Sequence, residues 1–203
     1  MKFHPSIVQT AIESPLGVMV LAATPVGLAG AWFTDQRHLP KALDAVPDFK
    51  SMPHNWPRDD AHPTLLKAAR QLAEFFAGRR QAFDLTYDIS GGTLFQQSVW
   101  RALLKIGHGQ TSSYGRVARE IDNPAAVRAV GMAVGRNPLG VLIPCHRVLG
   151  ANGSLTGYAG GLHRKVWLLN HEGVPGYTAT GAAPSAKQSP STRSTPSPQA
   201  LLL

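Results

Sequence analysis

The sequence predicts an α+β fold in two unlike parts and a tail. Residues 1–90 read as a small domain of strands and one helix, residues 93–176 as a mostly helical domain, and residues 177–203 as a disordered tail. Three observations carry this. A β-rich stretch broken by a Pro–Gly turn opens the chain, two capped helical segments joined by "DNP" lie in the second part, and Pro, Ser, Thr and Ala take over after Tyr177.

In the first part, "SPLGVMVLAATPVGLAGAWF" holds two β-rich runs, 17–23 and 28–33, around the turn sequence "TPVG", which predicts a hairpin. In "HPTLLKAARQLAEFFAGRR", Leu65, Ala69, Leu72 and Phe76 recur at helical spacing and Gly78 ends the run. "AFDLTYDI" alternates as a strand does, and "SGG" at 90–92 marks a boundary. In the second part, "TLFQQSVWRALLKI" places Phe95, Val99, Ala102, Leu103 and Ile106 on one helical face. "SSYGRVAREI" predicts a short helix capped by Ser112 or Ser113. "DNPAAVRAVGMAVGRN" follows, with Asn123 as N-cap and Pro124 at the first helical position. Val127, Val130 and Val134 would form its inner stripe, leaving Ala126 and Arg128 outside it. Two short helices joined in this way, with an earlier helix to pack on, make a helix-turn-helix pattern. "LHRKVWLLN" is one more helix, ended by "HEG".

Charge separates the parts further. Residues 1–92 carry nine basic and nine acidic side chains, whereas residues 93–176 carry nine basic against three acidic. The basic surplus of the second part suggests a polyanionic partner, most often nucleic acid. No apolar stretch reaches the roughly 20 residues of a membrane helix, since Pro25 and Gly27 interrupt the best candidate, 18–33. Glu13 and a lone Lys2 make a poor signal-peptide start. One cysteine excludes an intramolecular disulfide. A cytoplasmic protein is expected.

That one cysteine, Cys145, sits between Pro144 and His146, after the apolar run "VLI". A lone cysteine is more often a small buried apolar residue than a nucleophile, but a polar His-Arg pair beside an apolar run needs a partner or a task. A free thiol titrates near ~8.5, so attack on carbon calls for a base within reach. His146 is adjacent, yet neighbours in extended backbone point to opposite sides, so the pair must meet through a turn or a water. The imidazole then needs a carboxylate. The second part offers Glu120, Asp122 and Glu172, and Glu172, at the end of a periodic helix, is the candidate.

"IPCHRV" resembles the active-site signature of the O6-alkylguanine-DNA alkyltransferases, the methylated-DNA–protein-cysteine methyltransferases. The resemblance runs from Phe95 to Val174, through "VWRALLKI", "SSYGRVA", "NPAAVRAVGMAVGRNP", "LIPCHRV" and "GYAGGLHRKVWLLNHEG" in order. The first part is similar, more weakly, to the bacterial branch. The resemblance implies an RNase H-like first domain, a winged helix-turn-helix second domain, a monomer and no cofactor. It implies single-turnover repair of duplex DNA bound through the minor groove, with O6-alkylguanine, and O4-alkylthymine too, rotated out and dealkylated by Cys145. Cys145, His146, Glu172 and Tyr114 (the last on base and phosphate) are then catalytic. Asn137, Val148, Tyr158, Ala159 and Gly160 line or brace the base pocket, while Ser113, Tyr114, Asn123, Ala126, Arg128 and Arg136 meet DNA, Arg128 as the finger filling the vacated stack. Extrusion is required because an alkyl group on a stacked base cannot reach a protein thiol.

Two departures matter. The first part lacks cysteine, and His54 and His62 are too isolated for a closed zinc site, so no metal is expected. Gly140 and Ala159 stand where relatives often carry Pro and Ser, which bears on substrate width rather than on chemistry. The competing readings are a lesion-binding relative that transfers nothing, which Cys145 argues against, and a Cys–His hydrolase, which would need an oxyanion hole and turn over repeatedly.

Overall fold

The computed structural model describes residues 1–43, 56–174 and 176–177. The chain opens with three antiparallel strands in the order β1 (Val8–Ile12), β2 (Met19–Ala23) and β3 (Leu28–Phe33). The hairpin follows from the turn at residues 24–27, where Thr24 and Gly27 exchange backbone hydrogen bonds of 2.9 and 3.2 Å. β1 escapes sequence reading because its Gln9 and Thr10 break the apolar alternation; both are nonetheless buried. Side chains alternate across the sheet with a period of two. Met19, Leu21, Ala31 and Phe33 face helix α1 (Pro63–Phe76) and the rest of the main core, while Val20, Ala22, Ala29 and Trp32 face a smaller cluster with Ile7, Leu43 and Trp56.

The expected strand 82–89 is a correction. It is extended, but it meets β3 only around Leu28, through Leu28 N–H to Thr86 O (2.9 Å) and Asp88 N–H to Leu28 O (2.8 Å). The reason is competition for one edge. Three residues further along β3, Ala31 N–H donates to Pro138 O and Gly140 N–H donates to Ala31 O, both at 2.9 Å. The segment before the cysteine therefore takes the edge that a longer strand would need.

In the second part, helix α2 (Leu94–Leu104) begins in a capping box between Thr93 and Gln96 and buries Val99, Trp100, Ala102 and Leu103. A two-residue strand β4 (Ser112–Ser113) leads into α3 (Tyr114–Glu120), which Ser113 caps by accepting from Arg116 N–H. Asn123 holds the N-cap position and Pro124 the first helical one, as expected, but of a 3-10 turn, Pro124–Ala126, and without a side-chain cap bond; helix α4 runs over Val127–Gly135. The inner stripe shifts accordingly. Val130, Ala133 and Val134 are buried, whereas Val127, in the first turn, stays 40% exposed. The Trp100 indole N–H donates to Ala133 O at 2.9 Å and fixes α4 against α2. Strand β5 (Val148–Leu149) pairs in parallel with β4, and α5 (Leu162–His171) closes the fold.

One hydrophobic cluster runs from the sheet and α1 through α2, α3, α4 and α5. Tyr177, placed by sequence at the start of the tail, is buried beside Leu149 and Leu169. The tail from 178 onward and His54 lie outside the described residues. No helix among the described residues is long and apolar enough to cross a membrane.

Candidate active site

The segment between α4 and β5 is buried throughout, from Asn137 to Leu149. It is a chain of tight turns. Val141 has φ 68°, and Leu142 N–H reaches back to Gly140 O at 2.8 Å. Pro144, at φ −79° and ψ 61°, makes a second three-residue turn in which Cys145 N–H donates to Ile143 O at 2.8 Å. A β-branched residue at positive φ is strained and persists only where packing over-determines it; Val141 is 1% exposed. Asn137 stitches the turns together. Its Nδ2 lies 2.8 Å from Ile143 O, 3.3 Å from Leu139 O and 3.1 Å from Cys145 Sγ, and its Oδ1 accepts from Leu139 N–H at 3.0 Å.

A 3-10 turn at Cys145–Arg147 answers the geometric difficulty of adjacent side chains. It sends His146 and Arg147 to one carboxylate. His146 Nε2 is 2.8 Å from Glu172 Oε1, while Arg147 donates from Nε to Oε2 (2.8 Å) and from Nη2 to Oε1 (2.9 Å), and from Nη1 to Ile106 O. Burial works against an ionised Glu172, but the hydrogen bonds from His146 and Arg147 prevail and pull its pKa down to about 2. Burial holds the imidazole below its ordinary pKa despite Glu172. The pair is thus a carboxylate and a neutral imidazole. A carboxylate only accepts, so the single imidazole proton sits on Nε2 and Nδ1 keeps its lone pair. Nδ1 is buried and has no protein partner.

Burial pushes the Cys145 thiol up, opposed by the Asn137 amide and by the charge on Lys165. Lys165 is fully buried, donating to Val148 O at 2.6 Å, and burial lowers its pKa to about 8. Sequence reasoning missed it, although the signal existed: a lysine three and four residues before Leu168 and Leu169 shares their buried face. Arg147 pairs with the same carboxylate as His146 and braces the loop through Ile106 O, a structural role rather than a chemical one.

Tyr114 and Tyr158 both feel a charge on Cys145, and burial raises both phenols. The Tyr114 hydroxyl lies 2.7 Å from Thr156 Oγ1, a partner not foreseen. Tyr158, Ala159 and Gly160 form a turn before α5, and Val148 lies at the paired end of β5. Tyr114 and Tyr158 are thus coupled electrostatically to the thiol. Ser113 starts α3, Asn123 and Ala126 lie in its connection to α4, and exposed Arg128 and Arg136 sit at opposite ends of α4. Cys145 is 7% exposed. Clefts of about 450 and 470 Å³ open elsewhere, between α2 and α3 and along α5. Among the described residues no three His, Cys, Asp or Glu side chains group as metal ligands.

Comparison with known proteins is consistent with this geometry. Residues 94–174 match the family described as 6-O-methylguanine DNA methyltransferase, DNA binding domain. The chain is 44% identical over 161 residues to the methylated-DNA–protein-cysteine methyltransferase of Methanosarcina acetivorans, covering 79% of this chain and 95% of that protein. It is 40% identical to the enzyme of the same name from Mycobacterium leprae, over 79% of this chain and 89% of the relative. The crystal structure of Mycobacterium tuberculosis OGT in complex with DNA superposes with a TM-score of 0.71 at 40% identity, over 82% of this chain and 93% of that one. With a buried thiol, a His–Glu pair and that degree of likeness over most of its length, the chain belongs to the methylated-DNA–protein-cysteine methyltransferases, enzymes that act once because a cysteine of their own is the acceptor.

Proposed function

We propose that this protein repairs duplex DNA by moving the alkyl group of O6-alkylguanine, and of O4-alkylthymine, irreversibly to its own Cys145. The observation that carries this is the ordering of charge around the sulfur: an ionised Glu172, a neutral His146 with its Nδ1 lone pair uncommitted, and the Lys165 cation nearby. A water bridging Sγ and Nδ1 passes the thiol proton to His146, and Glu172 stabilises the imidazolium that forms. The sulfur attacks the alkyl carbon as the C–O6 bond breaks, and the electron pair left on the base is met by the Tyr114 hydroxyl. Thiol and O6-methylguanine become thioether and guanine. A thioether is a poor leaving group, so each molecule reacts once and needs no cofactor or metal.

Asn137 braces the turns that present the sulfur, and Val148, Tyr158, Ala159 and Gly160 line the site for the extruded base. Admission of a purine requires the surroundings of the thiol to open, since Cys145 is nearly covered. Ser113, Tyr114, Asn123, Ala126, Arg128 and Arg136 are assigned to the minor groove, with Arg128 occupying the vacated stack. The finer fold reading, an RNase H-like first domain and a winged helix-turn-helix second domain acting as a monomer, belongs to the same proposal.

The test is stoichiometry with a duplex carrying O6-methylguanine. One methyl group per protein is expected, found on the peptide containing Cys145, with Cys145→Ser inert. Repeated turnover on esters or peptides would point to a Cys–His hydrolase; binding without transfer would point to a lesion-binding protein.

A further inference from the structure

Arg164 lies on the first turn of α5 and is 6% exposed, yet nothing in the transfer chemistry uses it. Its guanidinium is shared between the two parts of the chain. From α5 it donates through Nη1 to Gly160 O at 2.8 Å, in the turn that lines the site. Through Nε it donates to Leu16 O at 2.8 Å, and through Nη2 it pairs with Asp35 at 2.9 Å. Its central carbon stacks 4.3 Å from the centroid of the Phe33 ring. Leu16, Phe33 and Asp35 all belong to the N-terminal sheet and its turns.

The Tyr158–Gly161 turn has little else to hold it. Tyr158 O accepts from Gly161 N–H (3.0 Å), Ala159 O accepts from Arg37 N–H (3.0 Å), and Gly160 O accepts from Arg164. With Gly161 O accepting from Lys165 N–H (3.3 Å), two of the turn's four carbonyls thus answer to the N-terminal part or to the arginine clamped in it. The packing is close: a Cβ on Gly160 would stand 2.8 Å from the Tyr158 ring and 3.1 Å from the Phe33 ring. A shift of the sheet relative to α5 is therefore passed directly to Tyr158, whose ring feels the charge on Cys145.

We propose that Arg164 is a positioning residue through which the N-terminal domain sets the wall of the nucleobase site. The inference rests on the alkyltransferase reading above. The sheet and α1 carry no DNA-facing or reacting group in that reading, and this contact gives them a part in it: they hold Tyr158 to Gly160 where an extruded base must fit. A planar five-donor guanidinium can serve two carbonyls, a carboxylate and an aromatic face together, which an ammonium cannot. Arginine at this position is then a geometric requirement rather than a charge requirement.

The test uses Arg164→Met, which keeps the apolar stem, and Arg164→Lys, which keeps the charge, in the full chain. Four quantities are measured beside a thermal melt: the maximal single-turnover rate on an O6-methylguanine duplex, the duplex concentration giving half that rate, the rate with free O6-methylguanine base, and alkylation of Cys145 by iodoacetamide. A misplaced wall lowers the maximal duplex rate and the free-base rate together, by ~10-fold or more. Half-saturation and the iodoacetamide rate stay within about twofold of the parent. A loss of fold would raise iodoacetamide reactivity instead. Lysine is expected to behave like methionine; full rescue by Arg164→Lys, or parental rates on both lesion substrates in either folded variant, overturns the proposal. Should Arg164→Met fail to melt cooperatively, Arg164→Lys decides by the same criteria. Failure of the underlying reading looks different, because the parent protein itself would then take up no methyl group.

Discussion

The interiors of the two parts are built from different materials. Beneath the N-terminal sheet the core is apolar, and among the described residues its buried polar groups are uncharged apart from Asp88, which is hydrogen-bonded to Thr24 and Ser90. Beneath the cysteine the interior holds His146, Arg147, Arg164, Lys165 and Glu172, every one buried. Apolar packing tolerates adjustment, losing stability in proportion to the space left behind. A buried charge network does not, because removing one member strands another in a medium that cannot solvate it. The difference also corrects the reading of charge. Of the nine basic side chains in residues 93–176, three are internal, so six face solvent, opposed there by Glu120 and Asp122.

The sharpest way to break this contrast is Glu172→Gln. The amide cannot accept from Arg147 and His146 as the carboxylate does, and the general base loses its stabiliser. Transfer is expected to fall by about 10²- to 10⁴-fold, and stability near neutral pH by about 3–5 kcal/mol, the cost of stranding Arg147. The pH dependence has a definite sign. With a folded pKa of about 2 against an ordinary 4.5, the carboxylate contributes fully above pH 4.5 and loses its contribution as pH falls toward 2. Urea melts of parent and variant should therefore converge on acidification; a constant gap from neutral to acid pH would mean that Glu172 is not held as an anion.

Next in size is the salt response of binding to undamaged DNA. Only cations that reach solvent can release counterions, each contributing about −0.9 to the slope of log K against log salt. The six exposed cations of residues 93–176 contribute at most roughly −5 to the slope, a loss of up to about 10³-fold between ~50 and ~200 mM salt. A slope well beyond that limit would show that cations other than these six also meet the phosphates, and a flat response would remove the electrostatic reading altogether.

The apolar part gives the complementary prediction. Leu72 is fully buried between α1 and the sheet. Leu72→Ala should cost about 3 kcal/mol while leaving the transfer rate of folded protein within about twofold, as measured by denaturant melts and single-turnover kinetics at low temperature. A rate loss matching the Arg164 variants would mean that the sheet's rigidity, and not one arginine, positions the site.

Much of this architecture was legible because local chemistry specifies it. Ser113 announced a helix start, Gly78 a helix end, and Glu172 stood out because the second part has so few acids. What remained hidden depends on partners distant in sequence. Segment 82–89 alternates like a strand but loses the β3 edge to Pro138 and Gly140. Val127 has the right residue type for the core but precedes the turn of α4 that packs. Arg164 and Lys165 look like ordinary surface cations, since burial of a cation is decided by a carboxylate or carbonyl the chain supplies elsewhere: Asp35 and Leu16 for the one, Val148 for the other.

Arg128 gives the smallest expected effect and the finest discrimination, because it is a charge on the outside of the charged part. It stands exposed in the first turn of α4, next to exposed Val127, while Cys145 and its network lie inside the fold. If its task is to occupy the gap left by an extruded base, its value appears only where a stack has been opened. Arg128→Ala should then slow transfer from duplex O6-methylguanine by about tenfold, part of the few kcal/mol that unstacking costs, and leave the reaction with free O6-methylguanine base unchanged. The Arg164 variants should depress both. Arg128→Ala lowering both rates equally would place its effect on the thiol's surroundings, and the separation between an outer, DNA-reading charge and an inner, thiol-tuning set would fail at the residue where it is most exposed to test.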